Sequence, residues 1–125
     1  MKFKIKQDPT FSADVSIPRV GGEPIKVPFT FRYRDRNELA AMLERWSEME
    51  EKLAPEEGAK MSVSDATDAS IAIAVAKLQD VVAGWEFEEE LNEQSLRDLA
   101  TTCVAVPAEV LKAYFDAFNQ SRLGN

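Results

Sequence analysis

One ten-residue run constrains this chain more than any other. Between positions 25 and 34, Ile25, Val27, Phe29, Phe31 and Tyr33 alternate with Lys26, Pro28, Thr30, Arg32 and Arg34. A period of two places the first set on one face of a β-strand and the second set on the other. A face made of three aromatic and two aliphatic side chains cannot be left in water, so the rest of the chain has to supply a cover. Pro28 has no N–H for a ladder, which predicts that this strand, or at least that part of it, lies at an edge or a bulge.

Two further alternating runs precede it. Phe11, Ala13, Val15 and Ile17 interleave with Ser12, Asp14 and Ser16, and Phe3 and Ile5 interleave with Lys2, Lys4 and Lys6. Asp8-Pro9-Thr10 between them is turn chemistry, and Gly21-Gly22 lies in a proline-flanked loop before the third run. Residues 1–34 therefore read as an antiparallel three-stranded sheet or hairpin.

The period then changes from 2 to 3.6. Asp35-Arg36-Asn37-Glu38 has the form of a capping box, and Leu39, Met42, Leu43, Trp46, Met49 and Leu53 follow along one helical stripe. This helix is expected to cover the aromatic face of the sheet, and Pro55-Glu56-Glu57-Gly58 ends it. A second, alanine-rich helix starts with Asp65 as N-cap, carries Ile71, Val75, Leu78 and Val82 on one face, and uses Gly84 as its left-handed C′ residue. It joins the β-rich part to the later helices and acts as the hinge of the architecture. Trp85 and Phe87, interleaved with Glu86, Glu88, Glu89 and Glu90, form an aromatic and acidic elbow.

Asn92 then fits an N-cap with Leu91 and Leu96 as a hydrophobic staple, and this third helix carries Leu96, Leu99 and Cys103. Pro107 at N1 opens a fourth, with Val110, Leu111, Tyr114, Phe115 and Phe118 in a stripe; residues 121–125 read as a frayed end. The predicted fold class is α+β. An N-terminal antiparallel three-stranded sheet or hairpin packs against an all-helical part of about four helices, in a single domain spanning 1–125 with its β part in 1–34 and its helical part in 35–125.

Charge is unevenly placed along the 125 residues. Residues 1–36 hold eight Lys/Arg against four Asp/Glu, a net +4, whereas residues 37–125 hold seven against eighteen, a net −11. Opposite faces of opposite sign can steer partners. The chain has no histidine, which removes the commonest general base, the Ser and Cys triads that depend on it, and most zinc sites. Cys103 is the single cysteine, so no disulfide framework forms within the chain, and without His or CxxC beside it the residue reads as a small buried hydrophobe on a helix. No signal peptide or membrane-spanning run is read, and the expected location is the cytoplasm.

Three stretches invite a chemical reading. The Glu86, Glu88, Glu89, Glu90 run offers hard oxygen ligands, but it lacks the spaced pattern that folds a loop around an ion and reads as a solvated elbow. Neither a metal nor a cofactor is expected, nor is enzymatic activity, since phosphate loops, nucleophile elbows and zinc spacings are all missing. Aromatics near basic residues in the third strand raise single-stranded nucleic acid as a ligand. Alternation sends Lys26, Arg32 and Arg34 to the face opposite the aromatics, however, so the aromatics read as core. Trp85, Phe87, Tyr114, Phe115 and Phe118 make an aromatic cluster that is either core with part of its rim exposed or a groove for a protein partner. Asn119-Gln120-Ser121 matches a glycosylation sequon, which has no meaning without export.

End to end, the chain resembles the phage tail assembly chaperone family of tailed phages and prophages. The residues that carry the likeness are Lys2-Phe3-Lys4-Ile5, Asp8-Pro9-Thr10-Phe11, Val15-Ser16-Ile17-Pro18 and Val27-Pro28-Phe29-Thr30-Phe31. To these are added Gly84-Trp85-Glu86-Phe87-Glu88-Glu89-Glu90, Leu91-Asn92, Pro107, Tyr114 and Gly124-Asn125. Val106 before Pro107, where an aromatic is expected, and the weakly basic ending Arg122-Leu123-Gly124-Asn125 depart from the pattern. The resemblance implies a chaperone in the host cytoplasm that binds the tape measure protein, helps recruit tail tube subunits and is absent from the mature virion. Self-association is left open, and the alternative is a small nucleic-acid-binding or regulatory protein that uses the basic sheet.

Overall fold

The computed structural model describes residues 1–119. Its elements run β1 (Thr10–Ile17), β2 (Ile25–Arg32), α1 (Arg36–Leu53), α2 (Val63–Val81), β3 (Val82–Trp85), α3 (Glu93–Thr102) and α4 (Val106–Asn119). The arrangement is α+β, with three antiparallel strands in the order β1-β2-β3 and four helices. The expected frayed end, 121–125, lies outside the described residues.

The sheet differs from expectation in its membership. Residues 1–6 are not a strand but an exposed arm without regular structure, and the third strand is β3, contributed from the middle of the chain. Alternation alone does not make a strand; a partner edge is needed, and the arm has none among the described residues. β1 and β2 pair from Thr10↔Arg32 to Ile17↔Ile25, around a loop in which Gly21 takes a φ of 78°. β3 pairs with the other side of β2 at Phe29↔Trp85 and Thr30↔Gly84, with an irregularity between Thr30 and Phe31.

The Pro28 strand is therefore central rather than at an edge. It is tolerated because Pro28 sits where β3 runs out. The Pro28 carbonyl still accepts from the Glu86 N–H at 3.2 Å, and the same side of the residue needs no N–H of its own.

β1 and β2 point the same alternating face inward: Val15, Ile17, Val27, Phe29 and Phe31 are buried, while Lys26 and Arg32 are exposed. Arg34 corrects one expectation. It lies past the end of β2 and donates to the Asp80 carbonyl at 2.7 Å instead of facing solvent with Lys26 and Arg32.

The cover is not α1. α4 packs on β1 and α2 on β2 and β3, and α1 packs on α2 from outside. α1 buries only Met42 and Trp46, and its Leu43 is 47% exposed, so its stripe is too narrow for a sheet face and suits a helix neighbour. α4 carries Val106, Val110 and Tyr114 at 0% exposure. One buried cluster joins the strands to all four helices, from Val15 and Phe31 through Met42, Leu78 and Leu96 to Tyr114.

Helix ends follow local chemistry. The Asp35/Glu38 capping box is present, with Glu38 N–H donating to Asp35 at 2.8 Å and Asp35 N–H donating to Glu38 at 3.0 Å. At α3, Asn92 accepts from the Ser95 N–H at 2.8 Å, and the Ser95 hydroxyl accepts from the Asn92 N–H at 2.9 Å. α2 starts three residues earlier than expected: Ser62, not Asp65, is the N-cap and accepts from the Asp65 N–H at 3.1 Å. That places Asp65 inside the first turn, where its charge still meets the helix dipole.

Gly84 is no helix cap. α2 ends at Val82 in extended backbone (φ −92°), and the β-branched pair Val81-Val82 carries the chain straight into β3, where Gly84 opposes Thr30. Pro107 is the second residue of α4 rather than the first, and Cys103 is the half-buried C-cap of α3 rather than a helical residue.

Candidate functional site

The aromatic residues singled out in the second half of the chain are placed by two elements. β3 brings Trp85 opposite Phe29, with ring centroids 5.9 Å apart and planes at 72°, and Phe87 follows at the start of the elbow, 5.1 Å from Trp85 and 5.8 Å from Phe29. Trp85 donates its indole N–H to the Glu89 carbonyl at 2.8 Å, which folds the acidic elbow back on the ring. Both aromatics are half-buried, and Glu86, Glu88, Glu89 and Glu90 are exposed. They border a groove, with Val20, Ile25 and Cys103 among its lining, whose rim holds Glu86, Glu88, Glu89 and Asp98. Four carboxylates thus line the groove against one cation, Arg19, beside apolar residues such as Val27 and Leu99.

Tyr114, Phe115 and Phe118 come from α4. Tyr114 is at 0% exposure, lies 5.4 Å from Phe31 edge to face, and donates its hydroxyl to the Arg32 carbonyl at 2.9 Å. Burial pushes its ionisation above the ordinary 10.0; Arg34 opposes the shift, and the carboxylates of Glu38 and Asp80 add to it. Tyr114 thus presents no surface to a partner. Phe115 is half-buried and meets Trp46 edge to face at 6.2 Å. Phe118, also half-buried, is packed by Phe11 at 5.6 Å and Tyr33 at 6.0 Å.

The five do not form a single patch. Trp85 and Phe87 lie at one end of the β2 aromatic row and the α4 aromatics at the other. Phe29 and Phe31, with centroids 5.7 Å apart, link the two groups. The interior is core, and the two ends reach the surface.

Sequence reasoning missed a polar clamp between α1 and α2. Trp46 donates its indole N–H to Asp80 at 2.6 Å, Arg45 meets the same carboxylate oxygen at 3.3 Å, and Lys77 pairs with Glu50 while lying 5.4 Å above the Trp46 ring. The available signal was Lys77-Leu78-Gln79-Asp80, the only charged residues in an otherwise apolar and alanine-rich half-helix. Among the described residues, no group of three or more Cys, Asp or Glu side chains is arranged to hold a metal ion, and no helix is long and apolar enough to cross a membrane.

The molecule is a small sheet backed by helices, with half-buried aromatics at two surface grooves. The chain belongs to the phage tail assembly chaperone family, whose pattern it matches over residues 1–125. Among curated proteins and solved structures, none matches it. The expected family is therefore the right one, and with it comes a chaperone role in tail assembly.

Proposed function

We propose that this chain binds the tape measure protein in the host cytoplasm, keeps it competent for assembly, helps recruit tail tube subunits, and is absent from the finished virion. Membership of the tail assembly chaperone family along its whole length carries the reading. The half-buried rings of Trp85 and Phe87, and the outer edges of Phe115 and Phe118, are the proposed docking points for apolar side chains of the client. Rings that are already packed lose little freedom when a client is seated on them. The carboxylates around Trp85 disfavour acidic partners and keep the free surface dispersed.

The nucleic-acid alternative loses its basis. Phe29 and Phe31 are 1% and 0% exposed, and the exposed face with Lys26 and Arg32 has no aromatic on which a base could stack.

Coexpression with the tape measure protein of the same tail tests the proposal. Co-purification of the two, with the client soluble only when this chain is present, is expected. A client that stays insoluble, with no complex even at low salt, overturns it.

A further inference from the structure

β1 has an outer edge that nothing among the described residues covers. The Tyr33 N–H donates to the Pro9 carbonyl at 2.9 Å, so odd-numbered residues of β1 turn their backbone groups toward β2. Thr10, Ser12, Asp14 and Ser16 therefore present their N–H and C=O groups outward, a ready template for another strand. Beside that edge runs a groove of about 910 Å³ between β1 and α4, floored by Phe11, Ala13, Ala113, Ala117 and Phe118. Its charged lining is Asp8, Asp14, Glu109 and Asp116, against the single cation Lys112, which is paired with Asp116 at 2.8 Å.

The complementary piece is in the same chain. Residues 1–6 alternate Lys2, Lys4 and Lys6 with Phe3 and Ile5, and those two apolar side chains are 87% and 98% exposed. Laid along β1, such a segment puts Phe3 and Ile5 on the apolar floor and its three lysines over the side that bears Asp14.

The arm cannot return tightly to its own β1. A three-residue hairpin at Gln7-Asp8-Pro9 needs positive φ at its last position, which Pro9 cannot adopt, and a two-residue one at Gln7-Asp8 would pair Pro9 with the arm, whereas its carbonyl already faces β2 through Tyr33. Pro9 at the third position of a type I turn is disfavoured, and at the second position it would draw Thr10 and Phe11 out of their pairing with β2.

We infer that the arm of residues 1–6 adds as a fourth strand to the β1 edge of a second copy of this chain. The occupant of the groove is thus another copy, held by backbone hydrogen bonds and two apolar side chains, with its lysines on the face that bears Asp14 and the net acidic groove attracting the basic arm as a whole. This contact is separate from the Trp85 and Phe87 groove proposed for the client and shares only Phe118 with the second proposed docking point.

The test uses the full chain, followed by light scattering and sedimentation over a concentration series. Self-association is expected, and Phe3→Lys with Ile5→Lys should weaken it by roughly tenfold or more while leaving the fold intact, since both side chains are exposed. Ser12→Pro removes an outward N–H that β2 does not use and should weaken association from the edge side. Mixing the arm variant, whose edge is intact, with the edge variant, whose arm is intact, should restore a one-to-one pair. Amide exchange at Ser12 and Asp14 should slow with concentration in the parent chain only.

A chain that stays monomeric throughout overturns the inference, as does association that the arm variant leaves unchanged. Concentration-independent protection of Ser12 and Asp14 in a monomer would seat the arm on its own edge, and also overturns it. Failure of the mixed variants to pair does the same.

Discussion

The indole N–H of Trp46 donates to the carboxylate of Asp80 across 2.6 Å, joining the middle of α1 to the last turn of α2. Arg45 reaches the same carboxylate, and the Arg34 guanidinium binds the Asp80 main-chain carbonyl, so one residue holds both the outer helix and the chain leaving β2. Asp80→Ala would leave the indole N–H without its partner. A loss of about 1.5–3 kcal/mol of stability is expected, the range for hydrogen bonds to charged groups, read as a lower denaturant midpoint with an unchanged slope.

Tyr114 supplies a pH dependence. Its folded-state ionisation lies above the ordinary 10.0, first because it is buried. The protonated phenol is the form the fold prefers, so its contribution is complete below the unfolded value and is lost as pH rises through the folded one. The chain should therefore lose stability on the alkaline side of 10.0, read as a denaturant midpoint that falls as pH rises. Tyr114→Phe removes this step and leaves the Arg32 carbonyl unpaired, at a cost of about 1–3 kcal/mol at neutral pH.

Gly84 separates two accounts of the same residue. As a left-handed helix cap, its replacement by alanine would be costly. In β3, a methyl group at Gly84 would stand 3.6 Å from the Thr30 Cβ, an ordinary contact. Gly84→Ala is expected to change stability by less than about 1 kcal/mol, and a thermal melt decides between the two.

Asn92 caps α3 in a reciprocal pair with Ser95, whose hydroxyl also donates to the Glu90 carbonyl at 2.7 Å. Asn92→Ala should cost about 0.5–2 kcal/mol and loosen the elbow together with the helix, seen as faster amide exchange from Glu90 to Leu96.

Trp85 tests the client site. It is half-buried, so Trp85→Ala should cost about 2 kcal/mol, short of the 3–5 typical of a fully buried tryptophan, and the chain should remain folded. Loss of tape measure binding by this folded variant is the expected result; full binding would remove Trp85 from the client surface.

Much of this fold was legible in the primary structure, for identifiable reasons. The faces of β1 and β2 followed from strict alternation, and the caps at Asp35 and Asn92 depend on residues only three positions apart. What escaped was non-local. Nothing near Val82-Ala83-Gly84-Trp85 announces that it pairs with Phe29 and Phe31, more than fifty positions away. The glycine suggested a helix cap because that is its commonest local use. Lys2 to Lys6 has the period of a strand, but period does not say which edge receives it. Choosing α1 as the cover followed chain order, whereas α4 and α2, which do cover the sheet, meet it through contacts distant in sequence. The aromatic candidates show the same division: their clustering was readable, but the burial of Tyr114 and the separation of Trp85 from Phe118 depend on tertiary packing.

The late arrival of α4 has a consequence for synthesis. The β1–β2 hairpin is complete once residue 32 has been made, yet Phe11 meets its aromatic partners Tyr114 and Phe118, and Phe31 its partner Tyr114, only when α4 arrives. On the ribosome, the β1 side of the nascent hairpin therefore waits for α4 until translation is nearly over, and a chain cut short before α4 leaves that side uncovered. This tail assembly chaperone must itself pass through an interval in which part of its own apolar surface is bare.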